Sequence, residues 1–251
     1  MNPQQIARVT GVLFLITYVT SIPAAVFLYP PVLDDPRYIV GAGADTRVSL
    51  GAFLELILII ANIGTTVVLW PVLKRVNEIL ALGFVTARVM ESVFIAVGIL
   101  SVLSIVTLRQ DFAGAAAGAD AGSLLAVGQS LVALKDWTFL LGPGFIVGLG
   151  NGLILGYLMY RSGLVPRKLA VLGLVGGPLI CLSGIAVLLD VFQQGGTAQA
   201  IATIPEFLWE LSLGIYLIAK GFKVSPITPG HNGHGDLAVD EGSRAPVVLA
   251  R

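Results

Sequence analysis

Six long apolar runs constrain the fold of this chain more than any other feature of its sequence. A helix needs about 20 mostly apolar residues to cross the hydrocarbon core of a bilayer, and every run is close to that length. None of them shows the alternation of apolar and polar residues that a membrane β-strand requires. The runs cover approximately residues 6–29, 48–73, 80–108, 137–160, 166–189 and 201–222. We therefore predict an all-α, polytopic integral membrane bundle of six transmembrane helices, in contact with the lipid bilayer.

The charge content supports this prediction and limits the partners of the protein. Charged residues make up 12% of the chain, which is about half of their share in soluble domains. The 15 basic residues balance the 15 acidic ones, so no positive excess is available to neutralise nucleic-acid phosphates. The helical bundle should occupy residues 1–222. Residues 223–251 have no periodic apolar face, and we predict that they form a disordered cytoplasmic tail.

Basic residues in the connections predict that both termini face the cytoplasm. With the N-terminus inside, eight Lys and Arg residues of the short connections lie on the cytoplasmic side and four lie outside. This is the bias that the positive-inside rule describes. The four outer residues are Arg37, Arg47, Arg109 and Lys135.

The outer segment 110–136 contains a short amphipathic stretch. Leu124, Val127, Leu131 and Leu134 recur at helical spacing. The stretch is too short to span a membrane. We expect it either to lie at the membrane interface or to extend the fourth helix.

Glycines on the fourth and fifth runs predict close helix packing. Small residues that recur every four positions lie on one helix face and let a neighbouring backbone approach. The glycines with this spacing are Gly144, Gly148, Gly152 and Gly156 on the fourth run and Gly173 and Gly177 on the fifth. Tight packing explains this pattern, and a hinge would explain it as well. Pro23, Pro143 and Pro178 are expected to kink their helices.

Ionisable side chains inside the apolar runs are the candidates for function. Each would cost about 2.5–3.5 kcal/mol at the bilayer centre, so we expect these groups to face the bundle interior, to pair or to be neutral. Two amides accompany them. The candidate residues are Glu55, Arg88, Glu91, Glu206 and Glu210, with Asn62 and Asn151.

The spacing of these residues favours one polar cluster that opens outward. Arg88 and Glu91 are three residues apart on one helix and can pair. Glu206 and Glu210 are four residues apart, and two carboxylates so close in a low dielectric do not both ionise readily. On this interpretation Arg88 is the only cation among four acids. The alternative is that Arg88 and Glu91 form a structural pair that locks helices together, while Glu55 and Glu206 reach the outer interface.

Three classes of function follow from the residues. The first is binding or permeation of a proton, cation or small amine at the acid-rich interior. The second is a structural or accessory membrane protein that packs on itself or on a partner helix through its glycine-rich faces. The third, with the least support, is an intramembrane carboxylate enzyme. No catalytic residue, metal-binding set or cofactor motif is assigned from the sequence.

Three short segments resemble a known family. They are residues 8–15 (RVTGVLFL), 87–91 (ARVME) and 205–210 (PEFLWE). The segments are similar to domain-of-unknown-function family 4386, a group of bacterial multi-helix membrane proteins. The resemblance would cover residues 6–222 and leave the tail outside. It implies a compact helical bundle in the bacterial cytoplasmic membrane and carries no activity to transfer.

Overall fold

The computed structural model describes residues 1–114 and 120–225. Within these ranges the regular secondary structure is helical, without a strand, and six helices are long and apolar enough to cross a membrane. The prediction of an all-α polytopic bundle is therefore confirmed. The six helices are α1 (Pro3–Leu28), α2 (Asp45–Leu73), α3 (Glu78–Gly114), α4 (Ala121–Ser162), α5 (Arg167–Leu188) and α6 (Thr197–Ala219). Two short helical turns, Pro30–Leu33 and Tyr38–Val40, lie in the α1–α2 connection.

The predicted cytoplasmic tail falls mostly on residues 226–251, which lie outside the described residues. Its first three residues run beside the α4–α5 connection. The backbone N–H of Lys223 donates to the carbonyl of Leu164 at 2.8 Å, and Oγ of Ser225 donates to the carbonyl of Ser162 at 2.6 Å. The location of both termini in the cytoplasm stays a prediction.

The six helices pack in chain order around a closed ring. Each packs on the next, and α6 returns to pack on α1. The closing contact is close because it is made by glycines: a β-carbon on Gly11 would lie only 2.6 Å from the carbonyl oxygen of Gly214. At the end of the ring where α1 begins and α6 ends, Nε2 of Gln4 donates to the carbonyl of Phe222 at 2.8 Å.

Helix α4 begins sixteen residues before the fourth apolar run, so the amphipathic stretch extends the fourth helix. In this first part of α4, Ala121–Phe139, the buried face is formed by Gly128, Lys135 and Thr138. The apolar side chains of Val127 and Leu134 remain 48% and 42% exposed. This is the reverse of a soluble helix, because lipid accepts apolar side chains while small and polar residues face the other helices.

The α-helical pattern of α4 is interrupted in its middle. Wider π-helical turns cover Leu140–Ile146 and Gly148–Leu155. Pro143 lies in the first of them, where its missing N–H interrupts the regular hydrogen-bond ladder. Such turns leave backbone groups free for other partners and are frequent at functional sites.

The glycine row of α4 packs against α5 inside the bundle. A β-carbon on Gly148 would lie 2.7 Å from the carbonyl oxygen of Gly177, and one on Gly156 would lie 3.3 Å from the backbone nitrogen of Leu174. The predicted close packing is confirmed at this helix pair for Gly148, Gly152, Gly156 and Gly177, whereas Gly173 lies against the Trp209 ring of α6 and Gly144 contacts its own helix. These glycines are used within the chain and do not form a free face for another protein.

The half of the ring where α1 begins and α6 ends is filled with large apolar side chains. Phe14, Phe84, Leu155, Trp209 and Leu213 are fully buried there in one cluster. They come from α1, α3, α4 and α6 and fill the space between these helices. We call this cluster the apolar floor, because it closes one end of the ring interior.

Candidate functional site

Above the apolar floor the ring encloses a cavity of about 400 Å³, which we call the central cavity. Six of the seven residues selected from the sequence line it: Glu55, Asn62, Arg88, Glu91, Glu206 and Glu210. The seventh, Asn151, is fully buried and donates a hydrogen bond from Nδ2 to Glu210. The structure thus brings together side chains from four different helices.

Arg88, Glu91 and Asn62 form a closed hydrogen-bonded triangle. The Nη1 atom of Arg88 lies 2.7 Å from Oε2 of Glu91, and its Nη2 donates to Oδ1 of Asn62 at 2.7 Å. Nδ2 of Asn62 donates to the other carboxylate oxygen of Glu91 at 3.0 Å. The predicted i,i+3 pair is present, and all three residues are at most 4% exposed. The two bonds of Asn62 tie α2 to α3.

A second ion pair lies in the same cavity and was missed from the sequence. Nζ of Lys135 donates to both carboxylate oxygens of Glu55, at 2.7 and 2.8 Å. The phenol of Tyr29 donates to Oε2 of Glu55 at 2.7 Å, and the ammonium lies 4.7 Å from the centre of the Tyr29 ring. The interpretation of Arg88 as the only cation among four acids is therefore wrong. Nor does Glu55 reach the interface, since it is 7% exposed.

Lys135 was counted with the outer loop because it precedes the fourth apolar run. One signal in the sequence could have corrected this. No Gly or Pro lies between Gly128 and Gly142, so the amphipathic helix has no reason to end before that run. Once α4 is continuous, Lys135 is seven residues from Gly128 and seven from Gly142, and therefore lies on the small-residue face that packs on α3. Gly98 of α3 leaves room for it: a β-carbon there would lie 3.1 Å from the ammonium nitrogen.

The carboxylates of α6 lack a comparable cation. Glu210 accepts a hydrogen bond from Asn151. Glu206 is 2% exposed, and neither of its carboxylate oxygens has a hydrogen-bond partner. Among the described residues, no Lys or Arg forms a salt bridge with either acid.

Glycines make the space in which the Glu206 carboxylate lies. A β-carbon on Gly152 would lie 2.6 Å from Oε2 of Glu206, and one on Gly176 would lie 2.8 Å from the same atom. Trp209 supports the neighbouring backbone, because its indole N–H donates to the carbonyl of Asn151 at 3.0 Å within the second π-helical segment. The glycines therefore bring a buried, unpaired carboxylate against the α4–α5 crossing.

Three acids, Glu91, Glu206 and Glu210, line one cavity. Both the cation-binding hypothesis and the enzyme hypothesis require such a group of acids. Binding of a cation needs acids that converge on one space, and an intramembrane enzyme would need two carboxylates as acid and base. No group of three or more His, Cys, Asp or Glu residues in the part of the chain described here is arranged to hold a metal ion.

A second cavity of about 650 Å³, the outer cavity, adjoins the central one. It lies between α4 and α6 and is bordered by Gln194 and Gly195 of the α5–α6 connection. Nε2 of Gln194 donates to the carbonyl of Asp136 at 2.7 Å and so joins that connection to α4. The two cavities share six lining residues: Asp136, Phe139, Pro143, Ile180, Thr203 and Phe207. The ring interior thus continues away from the apolar floor.

Comparison with known proteins gives a family and no activity. The family described as Domain of unknown function (DUF4386) matches residues 9–221. These residues include all six spanning helices apart from the first six residues of α1, and the chain therefore belongs to this family. No curated protein and no solved structure matches the chain.

Proposed function

We propose that this DUF4386 protein binds a small monovalent cation in exchange for a proton, at Glu206 and Glu210 of the central cavity. The bacterial cytoplasmic membrane, which the family resemblance implies, is the location that we propose for it. The observation that carries the proposal is the buried carboxylate of Glu206, which has no partner on either oxygen. A buried anion without a partner is costly, and either a proton or a bound cation removes that cost.

The position of Glu210 supports an exchange between these two states. It lies one helical turn from Glu206, lines the same cavity and is only partly buried. A cation that enters the cavity can therefore approach Glu210 while Glu206 still carries its proton. Because two neighbouring carboxylates in a low dielectric do not both stay ionised without a counter-ion, arrival of the cation favours release of that proton.

The apolar floor favours a carrier over an open channel. Leu213 follows Glu210 by about one helical turn, Leu155 follows Asn151 likewise, and both leucines are fully buried, so a cation at Glu210 meets apolar side chains in this conformation. The ligand would enter and leave on the side of the outer cavity. Passage to the other side would require the helices around the floor to move apart.

The structural alternative has less support. That alternative relies on glycine rows to bind another protein. Glycines of these rows instead contact helices of the same chain, as Gly148 and Gly177 do. A partner would therefore have to bind other faces of the bundle, and the described residues offer no second glycine row for it on α4.

Binding of methylammonium to the full chain in nanodiscs tests the proposal. We expect saturable heat of binding at pH 8 and a weaker affinity as the pH falls, because protons compete for the same carboxylates. Glu206→Gln should weaken binding at least tenfold, while Glu78→Gln, an exposed acid at the start of α3, should leave it unchanged. Absence of saturable binding to the wild type, or equal binding by Glu206→Gln, would reject the proposed function.

A further inference from the structure

We infer that the preferred ligand is an organic ammonium ion with an apolar body, whose charged end lies at Glu210 and Glu206 and whose body lies along Phe207 and Phe139 into the outer cavity. This inference rests on the proposed function and names the class of its ligand. It comes from the space, the aromatic wall and the polar groups that surround the two acids.

The available space is far larger than a proton or a bare ion needs. The central cavity has about 400 Å³ and the outer cavity about 650 Å³. Pockets for small organic ligands have roughly 300–1,000 Å³ and are mostly apolar with a few polar groups. Both cavities have this character, with the acids of α6 at one end of the space.

An aromatic wall connects the acids to the outer cavity. Phe207 follows Glu206 directly and lines both cavities. Its ring meets that of Tyr18 edge-on with 5.0 Å between the ring centres, and the Tyr18 phenol donates to the Phe207 carbonyl at 2.7 Å. Phe139 borders the same space from α4. Aromatic faces attract organic cations and also accept an apolar chain.

The polar groups near Glu206 do not suit a metal ion. Hard divalent cations take six or more oxygen ligands. Oε2 of Glu206 instead lies against Gly152 and Gly176, which have no side-chain oxygen to offer. Both oxygens of Glu55 already accept hydrogen bonds from Lys135, and those of Glu91 accept from Arg88 and Asn62. An ammonium ion needs fewer oxygen partners and can take the unpaired ones that α6 and Asn151 offer.

Comparison of methylammonium with n-butylammonium tests the class of ligand. Each methylene buried in an apolar site improves affinity roughly threefold to fourfold, so we expect the wild type to bind butylammonium at least tenfold more tightly. Titration into nanodiscs that contain Glu206→Gln measures how much of the heat comes from partition into lipid. Phe207→Ala should remove most of the tenfold gain. The matched control is Leu208→Ala, a neighbour on α6 that lines neither cavity, and it should keep the gain.

The outcomes separate this inference from the proposed function. Equal affinity for the two amines, with both lost in Glu206→Gln, would overturn the inference and leave the proposed function standing. A chain-length gain that survives Phe207→Ala would also overturn it. If neither amine binds the wild type, the proposed function fails and the inference fails with it.

Discussion

The acids on the two walls of the central cavity differ in their hydrogen-bond and ion-pair partners. On the wall formed by α2, α3 and α4, each acid has its own cation: Glu55 contacts Lys135 and Glu91 contacts Arg88, both at 2.7 Å. On the α6 wall, Glu210 interacts with two neutral groups, the amide of Asn151 and the phenol of Tyr18, and the carboxylate oxygens of Glu206 have no partner. Glu206 is as deeply buried as Glu55 and Glu91, so exposure does not explain why it alone lacks a partner.

The contrast separates charges that hold the protein together from charges that are free to react. Removal of one member of a buried pair leaves the other as an isolated charge, which costs far more than the pair itself contributed. An unpaired carboxylate can gain or lose a proton, or bind a cation, without leaving another charged group unpaired. On the proposed function, the α2–α3–α4 wall has a structural role and the α6 wall is the one that exchanges a proton for a cation.

Arg88→Ala should have the largest effect on stability. It leaves Glu91 as a buried anion with only Asn62 as a donor, so we expect the free energy of unfolding to fall by about 3–5 kcal/mol. Reversible unfolding in mixed micelles measures this change. Arg8→Ala, which removes an exposed arginine of α1, is the control. A loss below about 1 kcal/mol would mean that the pair does not hold the wall together.

The second pair gives a sharper test, because both of its members can be replaced. Lys135→Met alone should cost about 3 kcal/mol, since Glu55 then keeps only the Tyr29 phenol. The double variant Lys135→Met, Glu55→Leu should recover to within about 1–2 kcal/mol of the wild type, because apolar residues of similar size often replace a buried pair without loss. If the double variant is as unstable as the single one, the two residues are not coupled in this way.

Neutralisation of single acids compares the two walls directly. Glu91→Gln weakens charged hydrogen bonds to Arg88 and Asn62, and we expect a loss of about 2–3 kcal/mol. Glu206→Gln removes an unpaired carboxylate and should change stability by less than about 1 kcal/mol in either direction. Parallel unfolding curves in the same micelles measure both. Equal losses in the two variants would remove the distinction between the walls.

A more exposed ion pair at the end of the bundle should have the smallest effect. Arg109 contacts Asp45 through two nitrogens, each 2.6 Å from a carboxylate oxygen. Solvent and salt weaken such contacts, so Arg109→Ala should cost about 1 kcal/mol or less. The cost should shrink further in 1 M salt, whereas the cost of Arg88→Ala should not. A large, salt-independent loss at Arg109 would show that exposure does not set the strength of these pairs.

Much of the fold could be predicted from the sequence because lipid imposes a simple rule. A run of apolar residues of the right length must be a helix, and this rule located all six helices. It could not locate the true start of α4, because Lys135 and Asp136 lower the hydropathy of a segment that is nevertheless helical and partly buried. Nor could it predict the ring, since hydropathy does not say which helices are neighbours.

For the candidate site too, the sequence predicted some of the residues and missed others. Glu55, Arg88, Glu91, Glu206 and Glu210 could be selected because a charge within a spanning run is too costly to face lipid. Lys135 was missed because it lay outside the assumed run. The two tyrosines were missed for another reason: Tyr18 and Tyr29 look like ordinary residues of an apolar helix, and only the fold shows that they border the cavity.

The closure of the ring by α6 on α1 has a consequence for insertion of the protein into the membrane during its synthesis. Both cavity ion pairs lie within the first five helices, which are synthesised before α6. The two free acids arrive only with the last helix, whose Gly214 must reach Gly11 to complete the circle. Insertion of α6 is therefore easiest when its acids are neutral, and a nascent chain that stops short of α6 lacks the proposed exchange site.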